Sequence, residues 1–278
     1  MTFLRPDTSA EERDERLQEK GSAVVIFHGC SFLAASKIGA VFQILPYANL
    51  RHIMKFPVLS TFLLVLSGVC WMIVYIEAIR IGLRDRRCAI PFWALALNLA
   101  WELLHTYYTF RLEGASVQAV INVLWAIFDV IVLYTWFRFD DRRIPGTLST
   151  GWFIAWSLLV IAVAFALQYG FVIEFGIYPG RAYAAFLQNL LMSVLFIDML
   201  VRRGSGEGQS MVIATGKWIG TLAPTLLFGV LGTDAFNGTD RLILLIGSLC
   251  SLFDLIYIAL LARVKSVEKR TERVNSRL

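Results

Sequence analysis

Charged residues are scarce in this chain of 278 residues: they make up 17% of it, whereas hydrophobic residues make up 57%. The mean hydropathy of +0.64 is too apolar for a soluble domain of this length and is typical of a polytopic membrane protein. Proline and cysteine are few, with seven and four residues, and the cysteines show neither metal-ligand nor redox spacing. No Pro-rich, Gly/Ser-rich or low-complexity linker divides the sequence. We therefore predict a single membrane domain.

Other features are lacking as well, and each absence narrows the class of protein. The alternation of apolar and polar residues that marks outer-membrane barrels does not occur. Residues 1–20 are polar and mixed in charge, without the basic and apolar regions of a signal peptide. We find no convincing internal repeat, which argues against transporter folds built from inverted halves.

Seven apolar stretches approach the roughly 20 residues that a membrane-spanning helix needs. They lie at 57–80, 89–110, 116–137, 151–172, 182–201, 210–231 and 241–263. Backbone polar groups have to be satisfied within the segment inside lipid, so these spans should be helices. The predicted fold class is all-α: a polytopic membrane protein with a bundle of seven transmembrane helices, in which short connections make neighbouring helices antiparallel.

The net charge of +5 comes from particular loops and does not indicate nucleic-acid binding. The basic residues after spans one, three, five and seven are Arg80, Arg84, Arg86, Arg87, Arg138, Arg142, Arg143, Arg202, Arg203, Arg263, Lys265, Lys269 and Arg270. The loops after spans two, four and six carry one arginine each, namely Arg111, Arg181 and Arg241. The positive-inside rule then places the rich loops and the C-terminus in the cytoplasm and the N-terminus outside.

The sequence divides into a membrane domain and two flanking segments. Residues 1–56 form a polar tail followed by a moderately apolar stretch at 22–46, which we interpret as an amphipathic helix at the membrane surface. An eighth span is the alternative for 22–46 and would put the N-terminus inside. Residues 57–263 form the seven-helix domain, and residues 264–278 form a charged cytoplasmic tail.

Two carboxylates lie inside apolar spans, where an ionised group is costly. Glu102 is near the middle of span two and Asp254 lies within span seven. At 1.5 Å per residue, they are roughly 20 Å and roughly 14 Å from the cytoplasmic ends of their spans. Both are therefore near the midplane and within reach of one cavity. A buried carboxyl can hold a proton at neutral pH and deliver it, so the pair suggests acid chemistry on an apolar substrate.

Further polar residues fall on the same helix faces. Asn98 and His105 share the face of Glu102, and either could hold its side chain in place. Asn122, Trp125 and Asp129 share a face of span three, where Asp129 is a support, a third acid or a structural cap. Span five carries Gln188 and Asn189 near mid-depth, and Tyr257 lies three residues after Asp254. Bonding between helices is the alternative role for all of them.

Other charged residues in the spans have simpler interpretations. Asp198 and Arg202 lie four residues apart, and Glu77 and Arg80 three, so we predict two interfacial ion pairs. Lys217, two turns into span six, could extend to the cytoplasmic surface.

The aromatic residues, 13% of the chain, divide between the interfaces and the interior of the bundle. Trp71, Trp101 and Trp125 fall within spans, where aromatic faces stabilise cations by about 0.5–2 kcal/mol each.

Four segments resemble the integral-membrane terpene cyclases of fungal meroterpenoid and indole-diterpene pathways and their bacterial relatives. They are LRDRRCAIPFWALALNLAWELLHTYYTF with its N-x-x-W-E, the stretch from Trp125 to Asp129, FLQNLLMSVLFIDMLVRRGSGEGQSMVIATGKWIGTLAPT with its K-x-x-G-T, and CSLFDLIYIALL with its F-D-x-x-Y. Together they cover most of residues 80–261. Each motif is short, but their order and spacing on seven spans make the combination specific.

The resemblance implies a class II cyclase, in which a proton starts the reaction. The essential acids of the family match Glu102 and Asp254. One of them would protonate a terminal epoxide or alkene of a prenyl chain attached to an aromatic, indole or peptide head group. The substrate-binding residues that we predict are Asn98, Trp101, Trp125, Asp129, Gln188, Asn189 and Tyr257. The sequence has no D-D-x-x-D or D-x-D-D motif, so no metal or other cofactor is expected, and the partners are a prenylated small molecule and the bilayer of a bacterial plasma membrane or the endoplasmic reticulum.

Three other classes compete with this interpretation. A proton-coupled transporter would use the same midplane carboxylates, but Pro224 interrupts only one half of the chain. A retinal protein needs a Schiff-base lysine in its last span, and 241–263 contains none. A scaffold protein would leave Glu102 and Asp254 unexplained.

Overall fold

The computed structural model describes residues 57–115, 117–140, 149–233 and 236–276. Its seven helices are α1 (Pro57–Arg84), α2 (Phe92–Glu113), α3 (Val117–Thr135), α4 (Thr150–Phe175), α5 (Ile177–Arg203), α6 (Met211–Leu226) and α7 (Arg241–Asn275). Each predicted span overlaps one of them. The prediction of an amphipathic helix at 22–46 lies outside the described residues.

The helices identify a multi-pass membrane protein. Six of the seven are long and apolar enough to cross a membrane. α2 is not among the six, because Asn98, Glu102 and His105 interrupt its apolar sequence. The seven-helix, all-α prediction is confirmed for the described part of the chain, where the only β pairing is a bridge between Thr233 and Gly238.

Two helices end in a wider turn, and one extends beyond its predicted span. α3 continues as a π-helical turn over Trp136–Asp140, and α6 continues as another over Leu227–Leu231. α7 runs on to Asn275, so the predicted charged tail begins as a helical extension of the last span.

Local sequence explains where several helices begin and end. Ser149, Ser210 and Asp240 precede α4, α6 and α7, and the side chain of each accepts a hydrogen bond from a backbone N–H in the first turn. Gly204 ends α5 in the left-handed conformation, with φ of +62°, which a residue with a side chain rarely adopts.

The packing order gives α2 and α5 three neighbouring helices each, and α5 packs against α4 as well as α2 and α7. α2 contacts α3, α4 and α5, while α1 packs against α6 and α3, and α7 packs against α6 and α5. One apolar cluster, with Trp71 and Trp125 at its margin, includes Phe196. A second cluster includes Phe186 and Phe228. Trp71, Trp125 and Phe186 all line one cavity, which therefore lies between the two clusters.

The loops at the arginine-rich end are joined to one another. Arg87 forms an ion pair with Glu207, Gly208 donates its N–H to Asp85 at 3.1 Å, and Arg203 donates to the carbonyl of Cys88 at 2.8 Å. Hydrogen bonds from Arg84 lower the pKa of the Asp85 carboxyl below its usual value. The α1–α2 and α5–α6 loops thus close this end of the bundle together.

Candidate active site

A cavity with a volume of about 70 Å³ opens between five helices of the bundle. Six of the nine predicted site residues line it: Asn98, Trp101, Glu102, Trp125, Gln188 and Asn189. The rest of its lining is Ser67, Gly68, Trp71, Ile121, Asn122, Ala185, Phe186, Gly220, Thr221 and Pro224. A space of this size holds a few water molecules.

Glu102 contributes the only carboxyl group among these lining residues, and it is 2% exposed. No hydrogen bond or ion pair joins it to another residue in the part of the chain that the structure describes. The prediction that Asn98 or His105 holds the Glu102 side chain is therefore wrong: Asn98 bonds to other residues, and both ring nitrogens of the buried His105 lack a hydrogen-bond partner within the described ranges.

A hydrogen-bond network fixes Asn98 in the cavity wall. Its Nδ2 donates to the Asp129 carboxylate at 2.8 Å and to the Tyr75 hydroxyl at 2.5 Å, and that hydroxyl donates to Asp129 at 2.9 Å. Gln188 donates to Oδ1 of Asn98 at 3.0 Å and accepts from Gln168 at 2.7 Å. Asp129 is fully buried behind Asn98 and does not line the cavity.

A buried cation that does not line the cavity interacts with Glu102. Arg181 is 2% exposed, donates to Thr109 at 3.2 Å and interacts electrostatically with Glu102. Thr109 also accepts from Asn122, which lines the cavity. The prediction that Arg181 is a loop residue is wrong, because α5 begins at Ile177 and turns this side chain into the bundle.

Aromatic rings form much of the remaining wall. Trp71, Trp101, Trp125 and Phe186 contribute side chains. Trp101 is held by a hydrogen bond from its indole N–H to the carbonyl of Arg181 at 2.9 Å. Trp125 packs edge-on against Tyr75, with ring centroids 5.6 Å apart. These faces can stabilise positive charge within the cavity.

A proline shapes the α6 side of the cavity. Pro224 has no N–H to donate to the carbonyl of Gly220, four residues earlier. The hydroxyl of Ser67 on α1 donates to that carbonyl instead, at 2.7 Å. All three residues line the cavity. Proline inside an apolar span was the available signal in the sequence, but its partner on α1 was not predictable from spacing.

Asp254 and Tyr257 lie outside the cavity. The Asp254 carboxylate accepts hydrogen bonds from Lys217 at 2.7 and 3.0 Å, and both side chains are almost completely buried. Tyr257 donates to Gln209 at 3.0 Å and packs against Phe196. The interpretation that Lys217 extends to the cytoplasmic surface is wrong, because its ammonium group turns inward to this carboxylate.

The two predicted interfacial ion pairs are confirmed. Arg202 contacts Asp198 at 2.8 Å, and Arg80 contacts Glu77 at 2.6 Å. Within the described ranges, no three His, Cys, Asp or Glu side chains are grouped so that they could hold a metal ion.

Comparison with known proteins identifies the family. The sequence model of the Pyr4-like transmembrane terpene cyclases matches residues 49–267, which is most of the chain. The chain belongs to this family. The resemblance drawn from the N-x-x-W-E, K-x-x-G-T and F-D-x-x-Y motifs is thereby confirmed.

Several curated cyclases are similar over most of their length. The chain is 27% identical to the Pyr4-family terpene cyclase mfmH of Annulohypoxylon moriforme over 60% of this chain and 68% of that protein. It is 26% identical to the terpene cyclase macJ of Penicillium terrestre over 74% and 82% of the two chains. The terpene cyclase pyr4 of Aspergillus fumigatus is 23% identical over 76% and 88%. No solved structure matches.

The turn GSGEGQS, which belongs to the third of the segments that resemble the family, connects three helices. In this turn, Ser210 caps the start of α6 and donates to Glu77 of α1 at 2.8 Å. Gln209 of the same turn accepts from Tyr257 of α7. The turn thus joins α1, α6 and α7 at the arginine-rich end, away from Glu102.

Proposed function

We propose that this protein is a membrane-bound class II terpene cyclase in which Glu102 is the proton donor. The observation that carries the proposal is the placement of Glu102: its carboxyl group faces an aromatic-walled cavity inside the bundle and forms no ion pair with a described residue. A carboxyl group placed in this way can act as a general acid toward a bound group.

The reaction begins when the Glu102 carboxyl protonates the oxygen of a terminal epoxide, or the terminal carbon of an alkene. In the epoxide case the C–O bond breaks and leaves a tertiary cation and a hydroxyl group. The next double bond attacks the cation, and each closure moves the charge along the chain. The last cation loses a proton or is captured by the head group, which then loses one, so the product is an isomer of the substrate. The released proton balances the proton that Glu102 gave.

The cavity walls and the membrane position support a hydrophobic, prenylated substrate. Trp71, Trp101 and Trp125 offer aromatic faces to the migrating cation. The polar side chains of Gln188 and Asn189 offer hydrogen bonds to an oxygenated head group. Since the cavity is small, a prenylated aromatic, indole or peptide substrate from the bilayer has to displace wall side chains. Trp71 and Trp125, which are only partly buried, are the ones with room to move.

The first test is a product assay with Glu102→Gln. Membranes that contain the protein are incubated with prenylated aromatic substrates, with and without a terminal epoxide, and products of equal mass are separated and identified by NMR. We expect a cyclised isomer from the native protein. We expect its rate of formation to fall by at least about a hundredfold in Glu102→Gln, since a positioned general acid contributes about 10²–10⁴-fold.

Glu77→Gln is the matched control, because it removes a carboxylate of the same type from an interfacial ion pair outside the cavity. We expect it to retain most of the activity. Normal turnover in Glu102→Gln would refute the assignment of the acid. If folded native protein gives no isomer from any substrate, the cyclase proposal fails and a proton-coupled transporter becomes the better explanation of Glu102.

A further inference from the structure

Lys217 and Asp254 form an ion pair in the interior of the bundle. Their side chains are 1% and 2% exposed. The Lys217 ammonium group donates to both oxygens of Asp254, at 2.7 and 3.0 Å, and to the hydroxyl of Ser193 at 2.6 Å. These contacts use all three donors of an ammonium group. The attraction within a buried ion pair offsets the free-energy cost of desolvation only when the hydrogen bonds are this complete. Replacing such a pair with apolar residues of similar size often leaves the stability of the protein unchanged or higher.

The pair lies one helical turn behind the polar wall of the cavity. On α6, Lys217 precedes Thr221 by four residues, and on α5, Ser193 follows Asn189 by four. Thr221 and Asn189 both line the cavity. The Ser193 hydroxyl donates to the Asn189 carbonyl at 2.9 Å, and Thr221 approaches the side-chain oxygen of Asn189 at 3.5 Å. The ammonium group therefore joins α5, α6 and α7 where these two wall residues are set.

We propose that Lys217 is a positioning residue for cyclisation: paired with Asp254 and bonded to Ser193, it holds Asn189 and Thr221 in the cavity wall. Asp254 serves as the hydrogen-bonded partner of Lys217 in this unit, and Glu102 remains the proposed proton donor. The proposal rests on the proposed cyclase function. Two observations support the division of roles: Asp254 does not line the cavity, and both oxygens of its carboxylate accept hydrogen bonds from Lys217.

Lys217→Met separates this role from acid catalysis by Asp254. The variant keeps the Asp254 carboxyl and removes only its cation. If Asp254 were the initiating acid, its carboxyl group would stay in place after loss of Lys217 and could still react. We expect instead that product formation per folded protein falls at least tenfold, and we expect the same of Asp254→Asn. We also expect the ratio of ring-closed isomers to change, because the wall residues have moved. Wild-type rate and isomer ratio in Lys217→Met would overturn the proposal.

A double variant keeps the test decisive where the single variants fold poorly. Removing one member of a buried pair leaves an uncompensated charge, whereas replacing both with apolar residues restores stability. We expect Lys217→Met/Asp254→Leu to recover the melting temperature in detergent but not the rate or the isomer ratio. Recovery of all three would show that the pair only stabilises the fold, and would overturn the proposal.

Asp198→Asn is the control, since it breaks an ion pair with Arg202 that is exposed and far along the helix from the cavity wall. We expect it to change neither melting temperature nor isomer ratio. These results can be distinguished from failure of the cyclase proposal. If the cyclase proposal fails, the native protein gives no cyclised product. If the positioning proposal holds, the native protein and Asp198→Asn cyclise the substrate at similar rates and Lys217→Met is at least tenfold slower.

Discussion

At the residue scale, the Tyr75 hydroxyl connects a wall residue of the cavity to a buried carboxylate. It donates to Asp129 and accepts from Asn98. Tyr75→Phe removes the hydroxyl and leaves the rest of the ring in place, so a buried polar network loses one member. We expect the free energy of unfolding to fall by about 1–2 kcal/mol, which a thermal denaturation series in detergent would show as a lower melting temperature.

The control for that variant is Tyr107→Phe, because Tyr107 is on the outside of α2 and 58% exposed. Its melting temperature should match the native protein. Cyclisation by Tyr75→Phe should also slow, since Asn98 is then free to turn toward Asp129 alone. An unchanged melting temperature in Tyr75→Phe would mean that the network carries no net stability.

The sequence alone identified Glu102 and Asp254, because both are acidic residues inside apolar spans. It did not identify the residues that contact them. An acid inside an apolar span is costly wherever it lies, so its presence is visible in the sequence. The contacts depend on helices that are remote along the chain. Asp254 bonds to Lys217, 37 residues away, and the neighbouring wall residue Asn98 bonds to Gln188, 90 residues away. Lys217 was itself a signal, since a cation two turns into a span also requires a counter-charge.

At the element scale, α6 and α7 pack tightly at a point where a glycine faces a threonine. A Cβ atom added at Gly247 would lie 2.2 Å from Oγ1 of Thr225, and the Thr225 Cβ is itself 2.8 Å away. Gly247→Ala therefore forces the two helices apart. We expect a loss of about 1–3 kcal/mol, as overpacking typically costs, and a lower melting temperature of the purified protein.

Gly170→Ala is the matched substitution on α4, where nothing lies within 4 Å of the added atom. There the better helix propensity of alanine, worth up to about 1 kcal/mol, should leave the melting temperature equal or higher. Equal effects of the two substitutions would contradict the close approach of α6 to α7.

The lengths of the apolar stretches predicted the number and order of the described helices correctly. They predicted the first and last residues of the helices less accurately. Ser149, Ser210 and Asp240 mark helix starts within one or two residues of the predicted spans. The start of α5 was missed by five residues because Arg181 was taken for a loop residue. A buried arginine violates the average behaviour of its type, and the contacts of Arg181 with Thr109 and Glu102 on the neighbouring α2 could not be predicted from its own stretch of sequence.

At the scale of the whole molecule, the buried position of Arg181 increases the difference in positive charge between the two ends of the bundle. With that side chain inside the bundle, the end opposite the arginine-rich loops retains the exposed Arg111, in the last turn of α2, and Arg241, the first residue of α7. The arginine-rich end carries Arg84, Arg87 and Arg203 in its joined loops, besides the basic residues of the α7 extension. The positive-inside rule therefore predicts that the C-terminus faces the cytoplasm.

Cysteine labelling tests this orientation. Cys70, Cys88 and Cys250 are buried, so a variant with Cys30→Ser provides a weakly reactive background. In sealed vesicles whose cytoplasmic face points outward, a membrane-impermeant maleimide should label Ser276→Cys at once. Thr239→Cys, in the exposed loop between α6 and α7, should react only after the membrane is permeabilised. The reverse pattern would place the arginine-rich loops and the C-terminus on the far side of the membrane.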